Sequence, residues 1–324
     1  MQGKKFTRVF YATDVHGSER CFKKFLAAGR FYNADVLVLG GDVTGKLVIP
    51  IVDMGNGVHK ATYIGKVDSV STPEDLEILK NRISDSGYYY YLCGKSEMDD
   101  LQSSKEKVDQ LFVKVMKETL VRWVELAEQV LKETNTPCYI TGGNDDMQEV
   151  IDQIRDTEHV KNPENKVMKI SPIHTMASIG WSNMTPWKCP RDCSEAELGS
   201  RIEKVMEGVQ DTSNLIFNFH TPPFDTPPLD TVQKLDDSVY PPKPVIEQGQ
   251  AIMVGAGSTS VKNAIEKYQP LVDLCGHIHE GRGVCKIGRT EVINPGSEYS
   301  EGVLRGVILN LGDKKVMSWQ LTSG

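Results

Sequence analysis

The stretch RVFYATDVHGSERCFKKFLAAGRFYNADVLVLGGD, residues 8–42, decides how the chain is read. Its ends, RVFYAT (8–13) and DVLVLGGD (35–42), are apolar, β-branched runs. Between them Cys21, Phe22, Phe25 and Leu26 recur at helical spacing. Strand, helix and strand within about 35 residues mark a parallel βαβ unit. Three further apolar runs follow: CYITGGNDD (138–146), NLIFNFH (214–220) and QPLVDLCGHIH (269–279). All five stop at a cluster of Asp, Asn or His. Ligands of open α/β sheets bind beyond the carboxyl ends of strands, so these clusters are expected to converge.

Bulk properties narrow the classes of function. The 324 residues suffice for one large α/β domain with a proper core, and 39% hydrophobic with 25% charged residues is ordinary for a soluble globular protein. A net charge of -7 without a concentrated basic groove disfavours long nucleic acid as a partner. No apolar run approaches the roughly 18 residues needed to span a bilayer. The start of the chain turns polar too soon for a signal peptide and already reads as a first strand, so a cytoplasmic protein without a membrane partner is expected. Seven cysteines without framework spacing fit reduced thiols. Cys189 and Cys193 in KCPRDC are weak metal candidates, having no second pair.

Other patterns outline the organisation. Residues 106–134 carry Leu111, Phe112, Val115, Leu120, Trp123, Leu126, Val130 and Leu131 on an apolar stripe, predicting a long amphipathic helix. Thr72-Pro73 reads as an N-cap and first helical residue. Residues 46–105 interrupt the βα rhythm with a hairpin around Gly55-Asn56-Gly57, the short helix and GYYYYLCG, an inserted cap or association surface. Residues 166–183 suggest strands of a second sheet packed on the first. Residues 220–244 read as a proline-rich loop, and NPGS (294–297) as a turn closing the last sheet region. One domain, 1–324, with an insertion at 46–105 is the economical organisation.

The strand-end residues, in order, are Asp14 and His16, Asp42, Asn144 with Asp145 and Asp146, His220, and His277 and His279. Residues i and i+2 of an extended chain share a face, so His277 and His279 point the same way. Carboxylates, an amide oxygen and imidazoles form a nitrogen and oxygen set suited to Mn, Fe or Zn rather than to a thiolate zinc site. They exceed the needs of one ion, whereas two ions sharing a carboxylate would use them all.

D-x-H, G-D, G-N-x-D, an isolated H and G-H-x-H, in that order over residues 14–279, resemble the five blocks of the calcineurin-like metallophosphoesterase superfamily. The resemblance implies a four-layer α/β/β/α sandwich with residues 46–105 as an added α/β cap. It implies two divalent ions, Mn foremost with Fe, Zn or Ni as alternatives. Asp14, His16 and His279 would hold the first, Asn144, His220 and His277 the second, and Asp42 would bridge them. A hydroxide held between the ions would attack phosphorus in a small or nucleotide-like phosphoester. Glycines 41, 143 and 276 would let the backbone turn where each ligand is delivered.

The pattern departs from the family at Asp145, where many members have histidine after the metal-binding asparagine. Asp145 is then a carboxylic acid kept protonated by its site, or the leaving group needs little protonation, or catalysis has decayed around a retained metal site. The missing imidazole favours a phosphodiesterase. A monoesterase, a nuclease, or a non-catalytic metal-binding scaffold of the same fold are the alternatives. Asp145 and Asp42 are thus the catalytic candidates, and Asn144 and Arg282 the substrate-contacting ones, with a surface arginine as the plain reading of Arg282. Asp146 reads as support for a ligand or as the N-cap of a helix near Met147, completed by Glu149. GAGSTS (255–260) could receive a phosphate at a helix start, but capping by Ser258 or Ser260 is the simpler reading. Tyrosines 88 to 91 could stack on a base, but four successive residues cannot share a face, so part of the run is packing. His59, His159 and His174 match no block and are expected to be solvated or packed. A homo-oligomer remains open.

Overall fold

A computed structural model describes residues 6–324. The polar start that argues against a signal peptide lies mostly outside the described residues. The chain opens with β1 (Thr7–Ala12), α1 (Glu19–Phe31) and β2 (Val36–Leu39), the βαβ unit legible in residues 8–42. After the inserted segment come α4 (Lys105–Lys132), β7 (Cys138–Ile140), a single turn α5 (Gln148–Ile151) and β8 (Val160–Lys161). The second half contributes β9 (Val167–Lys169), β10 (Thr175–Ile179), α6 (Glu195–Met206), β11 (Leu215–Phe219), α7 (Thr259–Tyr268) and β12 (Val272–Leu274). Two hairpins end it: β13 (Gly283–Ile287) with β14 (Thr290–Asn294), and β15 (Arg305–Gly312) with β16 (Lys315–Ser323).

These strands form two six-stranded sheets, ordered β16-β15-β1-β2-β7-β8 and β13-β14-β12-β11-β10-β9. In the first, β1, β2, β7 and β8 are parallel. In the second, β10, β11, β12 and β14 are parallel. Alternation along each strand explains the layering. Val9, Tyr11, Val36 and Val38 meet Met176, Ile216, Val272 and Leu274 between the sheets. Phe10, Ala12, Leu37 and Leu39 face the other way, onto Phe22, Phe25 and Trp123 of α1 and α4. Phe217 and Phe219 likewise face Leu198, Ile202, Val261 and Ile265 of α6 and α7. Period-2 burial on both faces of both sheets leaves one solution, helices outside and sheets inside. The fold is the expected four-layer α/β/β/α sandwich.

The inserted segment builds its own layer. Strands β3 (Val48–Asp53), β4 (His59–Tyr63), β5 (Lys66–Val70) and β6 (Tyr89–Gly94) form a sheet ordered β5-β4-β3-β6, with helices α2 (Pro73–Asp85) and α3 (Lys95–Gln102). Ile51, Ala61, Tyr63, Leu79 and Ile83 make its small core. Thr72 caps α2 as expected, its hydroxyl accepting from the Asp75 amide at 3.1 Å. Tyr89 alone of the four tyrosines is buried, and its hydroxyl accepts from the Gly45 amide at 2.8 Å.

Two expectations need correction. Residues 294–297 do not close the sheets: the chain returns through β15 to pair antiparallel with β1 from Thr7↔Leu311 to Ala12↔Gly306. That pairing satisfies the open edge of β1, which the parallel neighbour β2 leaves free on its other side. The proline-rich stretch is more than a loop, because Thr231–Gln233 pairs with Met253–Gly255 and Leu235–Asp236 with Lys243–Pro244. No helix among the described residues is long and apolar enough to cross a membrane.

Candidate metal centre

Each ligand candidate leaves the carboxyl end of a parallel strand. Asp14 and His16 follow β1, Asp42 follows β2 and Asn144 follows β7, all from the first sheet. His220 follows β11, and His277 and His279 follow β12, from the second. The turns delivering them are strained. Asp14 (φ 53), His16 (φ 39), Asp42 (φ 46) and His277 (φ 66) all hold left-handed backbone, which a non-glycine residue keeps only where its surroundings impose it. Hydrogen bonds between neighbouring strand ends, one of them spanning the two sheets, impose it here. The His16 amide donates to the Asp42 carbonyl at 2.9 Å, the His277 amide to both Asp14 carboxylate oxygens at 3.1 Å, and the Gly276 amide to the His220 carbonyl at 2.9 Å.

The three glycines are required, mostly for space. Gly41 does use φ 134, and a Cβ there would also lie 2.3 Å from His220 Nδ1. Gly143 and Gly276 are not in left-handed backbone. A Cβ at Gly143 would sit 2.0 Å from Asp42 Oδ1, and one at Gly276 would sit 2.3 Å from Asp14 Oδ2. The reason for those two is therefore close approach of a ligand side chain, rather than the tight turn that the sequence suggested.

The side chains converge as two sets around Asp42. His16 Nε2 and His279 Nε2 are 3.0 Å apart, with Asp14 Oδ1 3.5 Å from the latter. On the other side, His277 Nδ1 lies 2.9 Å from Asn144 Oδ1. Asp42 divides its carboxylate between them, Oδ2 standing 3.6 Å from His16 Nε2 and Oδ1 standing 3.4 Å from His220 Nε2. Asp14, His16 and His279 form one group with ligand atoms within 4.8 Å of one another, Asp42, His220 and His277 a second, and His16, Asp42 and Asp145 a third. No cysteine joins a metal-holding group among the described residues.

The surroundings orient these atoms. His220 directs Nδ1 to the Gly40 carbonyl at 3.3 Å, leaving Nε2, buried and without a hydrogen-bond partner, aimed at the carboxylates. His277 turns Nε2 toward the Ser182 hydroxyl at 3.4 Å, leaving Nδ1 inward. The Asn144 amide nitrogen donates to Asp192 Oδ1 at 2.8 Å, which points its oxygen into the cluster. Such outer bonds fix ring and amide orientation around bound cations.

The electrostatics favour added positive charge. Burial opposes ionisation of Asp14, but the His279 bond and the His220 charge outweigh it and hold the carboxyl down to about 2. Asp42 is also buried and is held well below the usual range by His220 and His16. Burial holds His16 down to about 3, and burial with the neighbouring His220 holds His277 to about 4. His220 goes the opposite way: burial is outweighed by Asp42 and Asp14, raising it to about 9. Two buried carboxylates thus retain their charge, held by a protonated His220 beside the neutral imidazoles of His16 and His277. Like donors 3.0 Å apart, an orphaned inward Nε2 and an all nitrogen and oxygen set fit divalent ions.

The remaining candidates separate. Asp145 lies at the rim, its amide donating to Asp42 Oδ1 at 3.0 Å and its Oδ2 standing 3.8 Å from His16 Nδ1. Arg282 is exposed, and its guanidinium meets the Thr322 carbonyl at 3.5 Å rather than the cluster. Asp146 is not a helix cap. Its buried carboxylate accepts from the amides of Val43 (3.0 Å), Thr44 (2.8 Å) and Gly143 (2.7 Å), tying the β2 and β7 loops together. The α5 turn is entered through Met147 without a side-chain cap, and Glu149 pairs with Lys117. Ser258 caps α7 as expected, accepting from Val261 at 3.2 Å. Glu195 takes the Thr259 and Ser260 amides, so that helix start is already filled by a carboxylate. His159 and His174 are packed against Glu128 and the Gly312 carbonyl.

Sequence reading missed Lys46, Ser182 and Asp192. Lys46 Nζ is 2.7 Å from Asp145 Oδ2. No local pattern marks these residues, because each meets its partner across at least 48 positions of chain.

No family model matches the chain. A segment of 155 residues, 47% of the chain, is 32% identical to the uncharacterized protein MJ1162 of Methanocaldococcus jannaschii and spans 61% of that protein. Among solved structures, sulfate thiohydrolase SoxB of Thermus thermophilus reaches a TM-score of 0.40 at 11% identity, over 100% of this chain and 57% of that one, a likeness too loose to carry an argument. The protein TT1561, also of Thermus thermophilus, aligns over 98% of both chains at 14% identity with a TM-score of 0.52. The chain therefore shares with TT1561 its overall fold.

Proposed function

We propose that this protein is a metal-dependent phosphoesterase that cleaves a phosphodiester of a small or nucleotide-like molecule. The observation that carries the reading is the division of the Asp42 carboxylate between two sets of largely buried donors. In it, Asp14, His16 and His279 would hold one divalent ion and Asn144, His220 and His277 a second, with Asp42 available to both and Mn as the first choice of metal. When bound, such ions supply Lewis-acid stabilisation of phosphoryl oxygens and a water acidic enough to ionise near neutral pH. The chain's own part is orientation: Gly40, Ser182 and Asp192 aim the ligands, and Asp146 keeps the β2 and β7 loops in register. No histidine stands at position 145 to protonate a leaving alcohol, which favours a diester over a monoester. A net charge of -7 argues against long nucleic acid as substrate.

The test is the Mn-reconstituted protein with bis(p-nitrophenyl) phosphate and p-nitrophenyl phosphate, alongside elemental analysis. Two ions per chain, chelator-sensitive turnover and a faster diester reaction are expected. Faster monoester cleavage would overturn the diesterase assignment. Asp42→Asn should lower turnover by roughly 100-fold or more, because it removes the carboxylate charge that both ions would share. A wild-type protein that binds both ions yet cleaves no phosphoester would instead favour the scaffold reading.

A further inference from the structure

We propose that Lys46 and Asp145 together form the part of the phosphoryl site that the chain itself provides, and that they select a phosphorus centre bearing one negative charge. The inference rests on the phosphoesterase reading above and adds a specificity-determining pair to it.

Lys46 stands where the inserted segment begins, four residues beyond the bridging Asp42. The backbone before it is fixed residue by residue. The amides of Val43 and Thr44 donate to Asp146, and that of Gly45 donates to the Tyr89 hydroxyl at 2.8 Å. Asp145 is held equally firmly by its amide bond to Asp42 Oδ1. The two side chains meet at 2.7 Å on the rim, with Lys46 half exposed and Asp145 largely covered. An ion pair this accessible contributes little to stability. Its placement, on rigid backbone at the mouth of the ligand cluster with Asp145 Oδ2 3.8 Å from the buried His16 Nδ1, is that of a contact for something arriving from solvent. Arg282, the cation that the sequence suggested, is turned toward Thr322.

The pair has a defined chemical preference. The ammonium can give a charge-assisted hydrogen bond to one phosphoryl oxygen. The carboxylate beside it repels any further negative oxygen brought to the same rim. A diester monoanion, with one charge shared over two oxygens, satisfies both groups. A dianionic monoester or inorganic phosphate gains the lysine and is opposed by the aspartate.

The experiment measures binding of inorganic phosphate and of dimethyl phosphate by calorimetry at pH 8. It compares metal-loaded wild type, K46M, K46R and D145N, each matched for metal content and thermal midpoint. K46M should weaken both ligands about tenfold, the value of one charged hydrogen bond, and K46R by less. D145N should move in the opposite direction, tightening phosphate relative to dimethyl phosphate by several-fold. If K46M leaves both affinities unchanged, or if K46M and D145N weaken both ligands alike, the pair is a structural brace and the inference is overturned. Affinities that shift as expected in a wild-type protein that hydrolyses nothing would support the anion site and count against the phosphoesterase reading alone.

Discussion

At the scale of single residues, the site depends on atoms that are absent as much as on those present. Gly143 leaves room for Asp42 Oδ1, which a Cβ would approach to 2.0 Å. Gly143→Ala is therefore expected to displace the bridging carboxylate and reduce bound metal from two ions to one or none, with the far-ultraviolet spectrum unchanged. Full metal content in the variant would contradict the assigned position of Asp42. Asp192 makes the complementary case. It orients Asn144 at 2.8 Å and, through its other oxygen, gathers the Thr185 and Cys189 amides at 3.0 and 2.9 Å. Asp192→Ala should weaken one ion by roughly 10- to 100-fold, read by competition with a chromogenic chelator. The candidate ligands were legible in the sequence because each ends an apolar run. Asp192 was not, since nothing in its neighbours indicates that Asn144 lies beside it.

At the scale of elements, side chains far apart in sequence lock helices to loops. Glu128 of α4 accepts from the Thr157 hydroxyl at 2.5 Å and the His159 amide at 2.9 Å, and meets the His159 ring at 2.7 Å. Burial works against its charge, but these bonds hold the carboxyl from its usual 4.5 down to about 2. A carboxyl depressed on folding contributes stability that is complete above its unfolded value and fades as pH falls through the folded one. Urea midpoints of wild type and Glu128→Gln should differ above about pH 4.5 and converge toward pH 2. A constant difference across that range would remove Glu128 from the acid response. The helices α1, α2 and α4 were readable from caps and apolar spacing, since those signals lie within a few residues of one another. The C-terminal hairpin β15–β16 was overlooked, and its place beside β1 follows from an open strand edge some 300 positions earlier.

At the scale of the whole molecule, the candidate metal centre is a seam. The first sheet provides Asp14, His16, Asp42 and Asn144, and the second provides His220, His277 and His279. Cations held there would bind the folded chain and not the unfolded one, adding about 2.7 kcal/mol at a hundredfold excess over Kd. Calorimetry in chelator and then with added Mn should show the thermal midpoint rising by roughly 5 °C or more. A midpoint indifferent to metal would mean that the seven residues do not act as one site. The inserted layer meets this seam at its root, through Lys46 and through the Tyr89 hydroxyl on Gly45.

The amino-acid sequence by itself determined what depends on near neighbours: which runs extend, which coil, where Thr72 and Ser258 start helices, and which polar residues end strands. Tertiary structure alone decided the partners. Asp146 reads locally as support for a ligand or as a cap, and it is drawn to Val43 and Thr44, 103 and 102 positions away, because the β2 and β7 loops are packed side by side. Lys46 reads as an ordinary residue at the edge of an insertion, yet it faces Asp145. Local signals arise from the conformational preferences of a few consecutive residues. Long-range pairs arise only after two sheets have buried their shared faces and brought their strand ends to one place.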